Sequence, residues 1–252
     1  MNSKPYLSIV IPAFNEEKNL RKGVLSNVYD YLAKQKYSWE VLIADDGSTD
    51  RTREVSLQFV KTHKGFRLLA EPHRGKAGIL VAGMSSAQGE IVLFSDMDQA
   101  TPISELEKFL PEFEKGFDIV IGSRTGRKGA NFIRKVMAYG FMALRALILR
   151  LPYKDTQCGF KAFKTSVIRP IFEKLEVFKG RKEEGSAVTA GFDLEVLFVA
   201  RKLGYKITEV QVNWEEKGER GNFGVNPIKD SWEGFRDLIR VRLNSLNGKY
   251  RV

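Results

Sequence analysis

The chain has one cysteine, Cys158, among 252 residues, so no intrachain disulfide can staple it, and a reducing compartment suits it best. Its two histidines, His63 and His73, form no metal cluster, and Cys158 has no partner for zinc. No run of 18 apolar residues occurs, which argues against a helix that crosses a bilayer. Residues 1–5 lack the apolar stretch of a signal peptide. There is no Gly-x-Ser-x-Gly elbow to support serine hydrolysis. A Walker loop is also excluded, because the Gly-x-x-x-x-Gly-Lys-Ser/Thr spacing is missing. Neither an internal repeat nor a low-complexity tract breaks the chain.

What is present is an ordinary globular balance, 43% hydrophobic and 29% charged, and enough length for one large domain or two small ones. The net charge is +10, concentrated in the second half. Such an excess suits nucleic acid, an anionic membrane or a phosphorylated substrate, or it serves solubility alone. A nucleic-acid-binding role accounts for the charge but leaves acidic clusters at strand ends, which would repel a phosphate backbone.

Apolar runs alternate with helical stretches. Residues 7–13, 39–44, 66–70, 90–94 and 117–122 read as strands. A stretch at 15–34 capped by Asn15, one from Asp50, one at 76–87 and one opened by Pro102 read as helices. This alternation implies βαβ units and a mostly parallel sheet, with the strand-end loops on one edge. Loops around Glu16, Asp46 and Asp96 should therefore meet. In the second half, 131–151 and 227–246 read as helices, 159–163 as a short strand, 192–203 as a helix and 205–212 as a strand. Residues 215–226, rich in charge and glycine, read as a loop.

Asp96-Met97-Asp98 places two carboxylates just after a strand, where both can reach one hard cation such as Mg2+ or Mn2+. Such a cation offsets the charge of a diphosphate leaving group. Asp45-Asp46-Gly47-Ser48 reads equally as a turn with a helix cap and as a carboxylate for a base or ribose. In His73-Arg74-Gly75-Lys76 a helix N-terminus, a small residue and a cation suit an anion. Arg124 and Arg134 are candidates for a second phosphate, by forked hydrogen bonds. Residues 131–151 read either as a core helix or as an amphipathic element on a membrane surface, with arginines at headgroup level.

Taken in order, Ile-Pro-Ala-Phe-Asn-Glu-Glu, Ala-Asp-Asp-Gly-Ser-Thr-Asp, Arg-Gly-Lys, Asp-Met-Asp and Ile-Gly-Ser-Arg resemble family-2 glycosyltransferases of the GT-A fold. Asp155-Thr156-Gln157-Cys158-Gly159-Phe160-Lys161, Phe192-Asp193-Leu194-Glu195 and Val212-Asn213-Trp214 narrow the likeness to dolichyl-phosphate β-glucosyltransferases, with dolichyl-phosphate mannose synthases next. The resemblance covers about residues 7–246. It implies one α/β GT-A domain with a Rossmann-like, three-layer, mostly parallel sheet. Residues 1–125 would hold the nucleotide sugar, and 126–252 the acceptor and a membrane. It also implies inverting transfer of glucose from UDP-glucose to dolichyl or polyprenyl phosphate. The alternatives are GDP-mannose as donor or a saccharide as acceptor.

By position, Pro12, Phe14, Glu16, Asp46, Lys76 and Asp96 would contact the nucleotide sugar. Asp96, Asp98 and Gln99 would hold Mg2+ or Mn2+. Arg124, Arg134, Lys217 and Arg220 would hold the acceptor phosphate, the last two in place of a Gly-Ser-Lys sequence common in the family. Asp98, Asp155 and Arg124 would carry the catalytic roles, with Asp155 an orienter rather than an essential base. Attachment to the cytoplasmic face of a membrane would be peripheral or through an anchoring partner.

Overall fold

The computed structural model describes residues 4–124, 132–176, 188–215 and 227–251. Its frame is a seven-stranded sheet in the order β3-β2-β1-β4-β6-β5-β7. The strands are β1 (Leu7–Ala13), β2 (Trp39–Asp46), β3 (Phe66–Glu71), β4 (Ile91–Ser95), β5 (Ile119–Arg124), β6 (Phe160–Lys164) and β7 (Ile207–Val212). All seven residues of β1 are buried, as an unbroken apolar run in a strand covered on both faces requires. β1 pairs in parallel with β2 and β4, β2 with β3, and β5 with β7. Among the described strands, β6 alone runs backwards, between β4 and β5. The expected α/β, mostly parallel sheet is thus present.

Helices cover both faces. One apolar layer gathers α1 (Glu17–Arg21), α2 (Val24–Leu32), a 3-10 turn at Ile103–Lys108 and α5 (Leu110–Glu114). α3 (Thr52–Thr62) flanks β2 and β3. The opposite layer gathers α4 (Gly75–Ser86), α7 (Thr165–Phe172), α8 (Val188–Lys202) and α9 (Pro227–Leu246), with the end of α6 (Phe132–Leu149). Among the described residues, no helix is long and apolar enough to cross a membrane.

Local departures from the sequence reading have local causes. The helix expected over 15–34 is two helices, because Gly23 sits at φ +78° between them. Asn15 does not cap α1. It adopts φ +55°, and its Oδ1 instead accepts from the Thr49 and Asp50 amides at 2.9 and 3.3 Å. The stretch after Pro102 opens as a 3-10 turn before α5 begins. α7 was not anticipated; it is short and holds a proline, Pro170.

Candidate functional site

Because β1, β2 and β4 are parallel neighbours, their carboxyl ends deliver three loops to one edge. β5 and β7 end there too. β6 begins there because it is reversed, so the segment 155–159 lies beside the others. This places Pro12, Phe14, Glu16, Asp46, Lys76, Asp96, Asp98, Gln99, Arg124 and Asp155 on or next to one rim.

On the β1–β2 side, Pro12 is buried inside β1, opposite Ala44. Phe14, just past the strand, is exposed and stacks on the His73 ring with centroids 4.3 Å apart. Asp46 ends β2 and is buried. Its Oδ1 accepts from the Arg74 amide at 2.7 Å, and its Oδ2 lies 2.8 Å from His73 Nδ1. The Asp46 carboxylate therefore fastens the His73–Arg74 loop that leads into α4. A Cβ at Gly47 would lie 2.7 Å from the His73 backbone nitrogen, so this approach needs glycine. Asp45 is turned elsewhere, to Arg53 at 2.8 Å.

The centre of the rim is β4. Lys76, one residue into α4, reaches Asp96 Oδ1 at 2.5 Å. Burial favours the neutral amine, but the Asp96 carboxylate outweighs it and holds the ammonium above its ordinary pKa. Asp98 Oδ1 accepts from the Ala100 amide at 2.9 Å. Gln99 stands at φ +49° and donates through Nε2 to Ser95 Oγ and the Asp96 carbonyl, both at 3.0 Å. Burial pushes the Glu16 carboxyl up; the Asn19 hydrogen bond opposes this, while the Asp98 and Asp96 charges push it further. Three carboxylates thus repel one another at one edge.

The chemistry of these side chains suits a divalent cation. Gln99 Oε1 is buried with no hydrogen-bond partner among the described residues, an orphaned oxygen on the residue that follows Asp98. Among the described residues no group of three His, Cys, Asp or Glu side chains could hold a metal alone. Two carboxylates and an amide oxygen, completed by phosphate oxygens and water, are a donor set that hard divalent cations accept.

Across the rim, Arg124 ends β5. Its Nε donates to Asp155 Oδ2 at 2.6 Å and its Nη2 to Oδ1 at 3.0 Å, a two-point fork. Burial disfavours both charges, but the pairing prevails: Asp155 is held below the usual carboxylate range and Arg124 above its own. The guanidinium also lies over the Trp214 ring, 5.7 Å from its centroid. Glu209 on β7 accepts from the Lys154 and Asp155 amides at 2.9 and 2.7 Å, and Arg145 of α6 donates to Thr156 Oγ1 at 2.9 Å. Arg134 starts within α6, but its side chain lies outside the described residues, as do Lys217 and Arg220.

Sequence reasoning missed the roles of His73, Glu209 and Arg145, and the buried pair Lys161–Asp193, 2.9 Å apart. A charged residue inside the apolar stretch 160–163 was the available signal for Lys161. Nothing in the spacing pointed to Glu209 or to the Asp46–His73 bond.

Comparison with known proteins agrees with this architecture. Dolichyl-phosphate beta-glucosyltransferase ALG5D of Trichomonas vaginalis is 34% identical over 256 residues, covering 95% of this chain and 75% of that protein. The dolichyl-phosphate beta-glucosyltransferase of Dictyostelium discoideum is 31% identical over 98% of this chain and 77% of its own length. Among solved structures, glucosyl-3-phosphoglycerate synthase from Mycobacterium tuberculosis, crystallised with Mn2+, UDP and glucosyl-3-phosphoglycerate, superposes with a TM-score of 0.62 at 19% identity. That match covers 94% of this chain and 80% of the synthase, and it shows the same GT-A fold. Residues 8–172 match the profile described as Glycosyl transferase family 2, and the chain belongs to that family.

Proposed function

We propose that the protein is an inverting glucosyltransferase that moves glucose from UDP-glucose onto dolichyl or another polyprenyl phosphate. The observation that carries this is the division of charge along one rim: carboxylates at the end of β4 and an arginine at the end of β5, joined by residues 155–159. The names of the relatives support glucose as the sugar and dolichyl phosphate as the acceptor, and the UDP in the name of the M. tuberculosis structure supports the nucleotide.

Two anions must meet in this reaction. The acceptor phosphate is ionised near neutral pH, since its second pKa is about 6, so it attacks without a strong base. Asp96, Asp98 and Gln99 would hold Mg2+ or Mn2+, which supplies neutralisation of the diphosphate leaving group. Phe14, Glu16 and Asp46, with Pro12 behind them, shape the place for the base and ribose. Lys76 adds a cation beside Asp96. Arg124 draws the acceptor phosphate, with Arg134, Lys217 and Arg220 as further cations. Asp155 keeps the guanidinium in one plane and takes up no proton. In-line attack inverts the anomeric carbon.

In this reading residues 1–125 serve the donor, and residues 126–252 serve the acceptor and a membrane surface, on its cytoplasmic face. Exposed apolar side chains on α6 and α9 support peripheral contact, notably Leu147 (79% exposed), Trp232 (65%) and Leu246 (66%). An anchoring partner would add to it.

The test is a donor panel of UDP-glucose, UDP-GlcNAc and GDP-mannose against a short polyprenyl phosphate and a soluble saccharide, with and without Mn2+ or Mg2+. Metal-dependent formation of a β-linked glucosyl lipid is the expected result. Transfer only from GDP-mannose, or only to the saccharide, would replace this reading.

A further inference from the structure

Lys161 is a cation inside the sheet. It lies on β6 in register with Phe94 of β4 and Ile121 of β5 and is 1% exposed. Its Nζ donates to the Cys158 carbonyl at 2.5 Å and to Asp193 Oδ1 at 2.9 Å, 5.1 Å from the centroid of the Phe94 ring. Asp193, on α8, is also buried. Stability alone gives little reason for such a pair. Desolvating two charges costs about as much as their attraction gains, and well-packed apolar replacements are often neutral or better.

The position of the Cys158 carbonyl suggests another reason. On one side of it, the Gln157 amide donates to Asp155 Oδ1 at 3.0 Å, and Asp155 holds Arg124. On the other side, the Gly159 carbonyl accepts from the Asp96 amide at 3.2 Å. The segment 155–159 is thus a bridge from the acceptor arginine to the donor carboxylate, and Lys161 grips it in the middle. Asp193 in turn ties that grip to α8, which packs against α4, the helix that carries Lys76.

We infer that Lys161 and Asp193 are positioning residues that fix the separation between the donor carboxylates and Arg124. This rests on the transfer reaction proposed above. A bridge that drifts by about 1 Å leaves each substrate's own contacts in place but misaligns attack, which costs on the order of 10²-fold in rate. The effect therefore belongs in kcat and not in KM.

The double variant Lys161→Met with Asp193→Leu tests this, because it removes both charges and leaves neither one orphaned. The expected result is a folded protein with Tm within a few degrees of the parent. Its kcat should fall about 100-fold, with KM for UDP-glucose and for polyprenyl phosphate within about twofold. Hydrogen exchange at the Asp96 amide should quicken by about tenfold or more as the bond to Gly159 loosens. A parental kcat in the double variant, where the parent does transfer glucose, would overturn the inference and leave the function standing. If the parent transfers nothing, the proposed function fails. The exchange rate then decides: an unchanged Asp96 amide overturns the positioning role, and a quickened one sustains the tether.

Discussion

Gly159 and Asp96 are packed so closely that no side chain fits between them. The Gly159 carbonyl accepts the Asp96 amide at 3.2 Å, and a Cβ built at 159 would overlap the Asp96 carboxylate. The glycine is needed for that approach, not for an unusual φ. Gly159→Ala should displace the carboxylate and lower kcat/KM for UDP-glucose by about 100-fold. Asp96 is part-exposed and can swing outward, so Tm should fall by only a few degrees. Steady-state kinetics beside a thermal melt check both.

Arg124→Lys keeps the charge but loses the planar fork to Asp155 and the stacking over Trp214. We expect transfer to polyprenyl phosphate to drop about 100-fold, with binding of UDP-glucose unchanged. Asp155→Asn retains one carbonyl oxygen for the guanidinium and should lose only about tenfold. A loss nearer 10³-fold for Asp155→Asn would instead mark proton transfer.

The same pair makes stability depend on pH in a stated direction. The folded pKa of Asp155 is lowered, with Arg124 outweighing burial, and the unfolded value is near 3.9. The native state therefore binds fewer protons there than the unfolded state. The contribution is fully present above the unfolded pKa and fades as pH falls through the folded one. Asp155→Asn should thus destabilise by about 3 kcal/mol at pH 7, and the difference should shrink steadily as pH falls from about 3.9 through the lowered folded pKa. Paired denaturant melts across that range measure the difference.

The outer face of α9 should bind lipid. Trp232, Leu243 and Leu246 are exposed along it, while Asp237, its buried acid, turns inward. Replacing Trp232 and Leu246 with serine should weaken co-sedimentation with anionic vesicles by about tenfold or more, with no change in binding of UDP-glucose in solution. Undiminished vesicle binding would place the contact elsewhere.

Much of this was legible in the chain. Period and punctuation gave all seven strands, because each is short, apolar and ended by polar or glycine-rich residues. The convergence of Glu16, Asp46 and Asp96 followed from the handedness of crossovers. Asn15 misled because a left-handed asparagine and a helix cap look alike in sequence. The partners of Asp46 and Asp155 could not be read, since both bonds join loops from different strands. Lys161 was visible as an oddity in an apolar run, but its use depends on a reversed strand, and strand direction is not written in local pattern.

The most direct measurement is calorimetric titration of UDP-glucose into the protein in Mn2+ and in EDTA, repeated with Asp98→Asn. The account predicts binding in Mn2+, a loss of at least about 30-fold in EDTA, and a similar loss for Asp98→Asn even with the metal present. Equal affinity in all three conditions would contradict it, because the carboxylates at the end of β4 would then have no part in holding the donor.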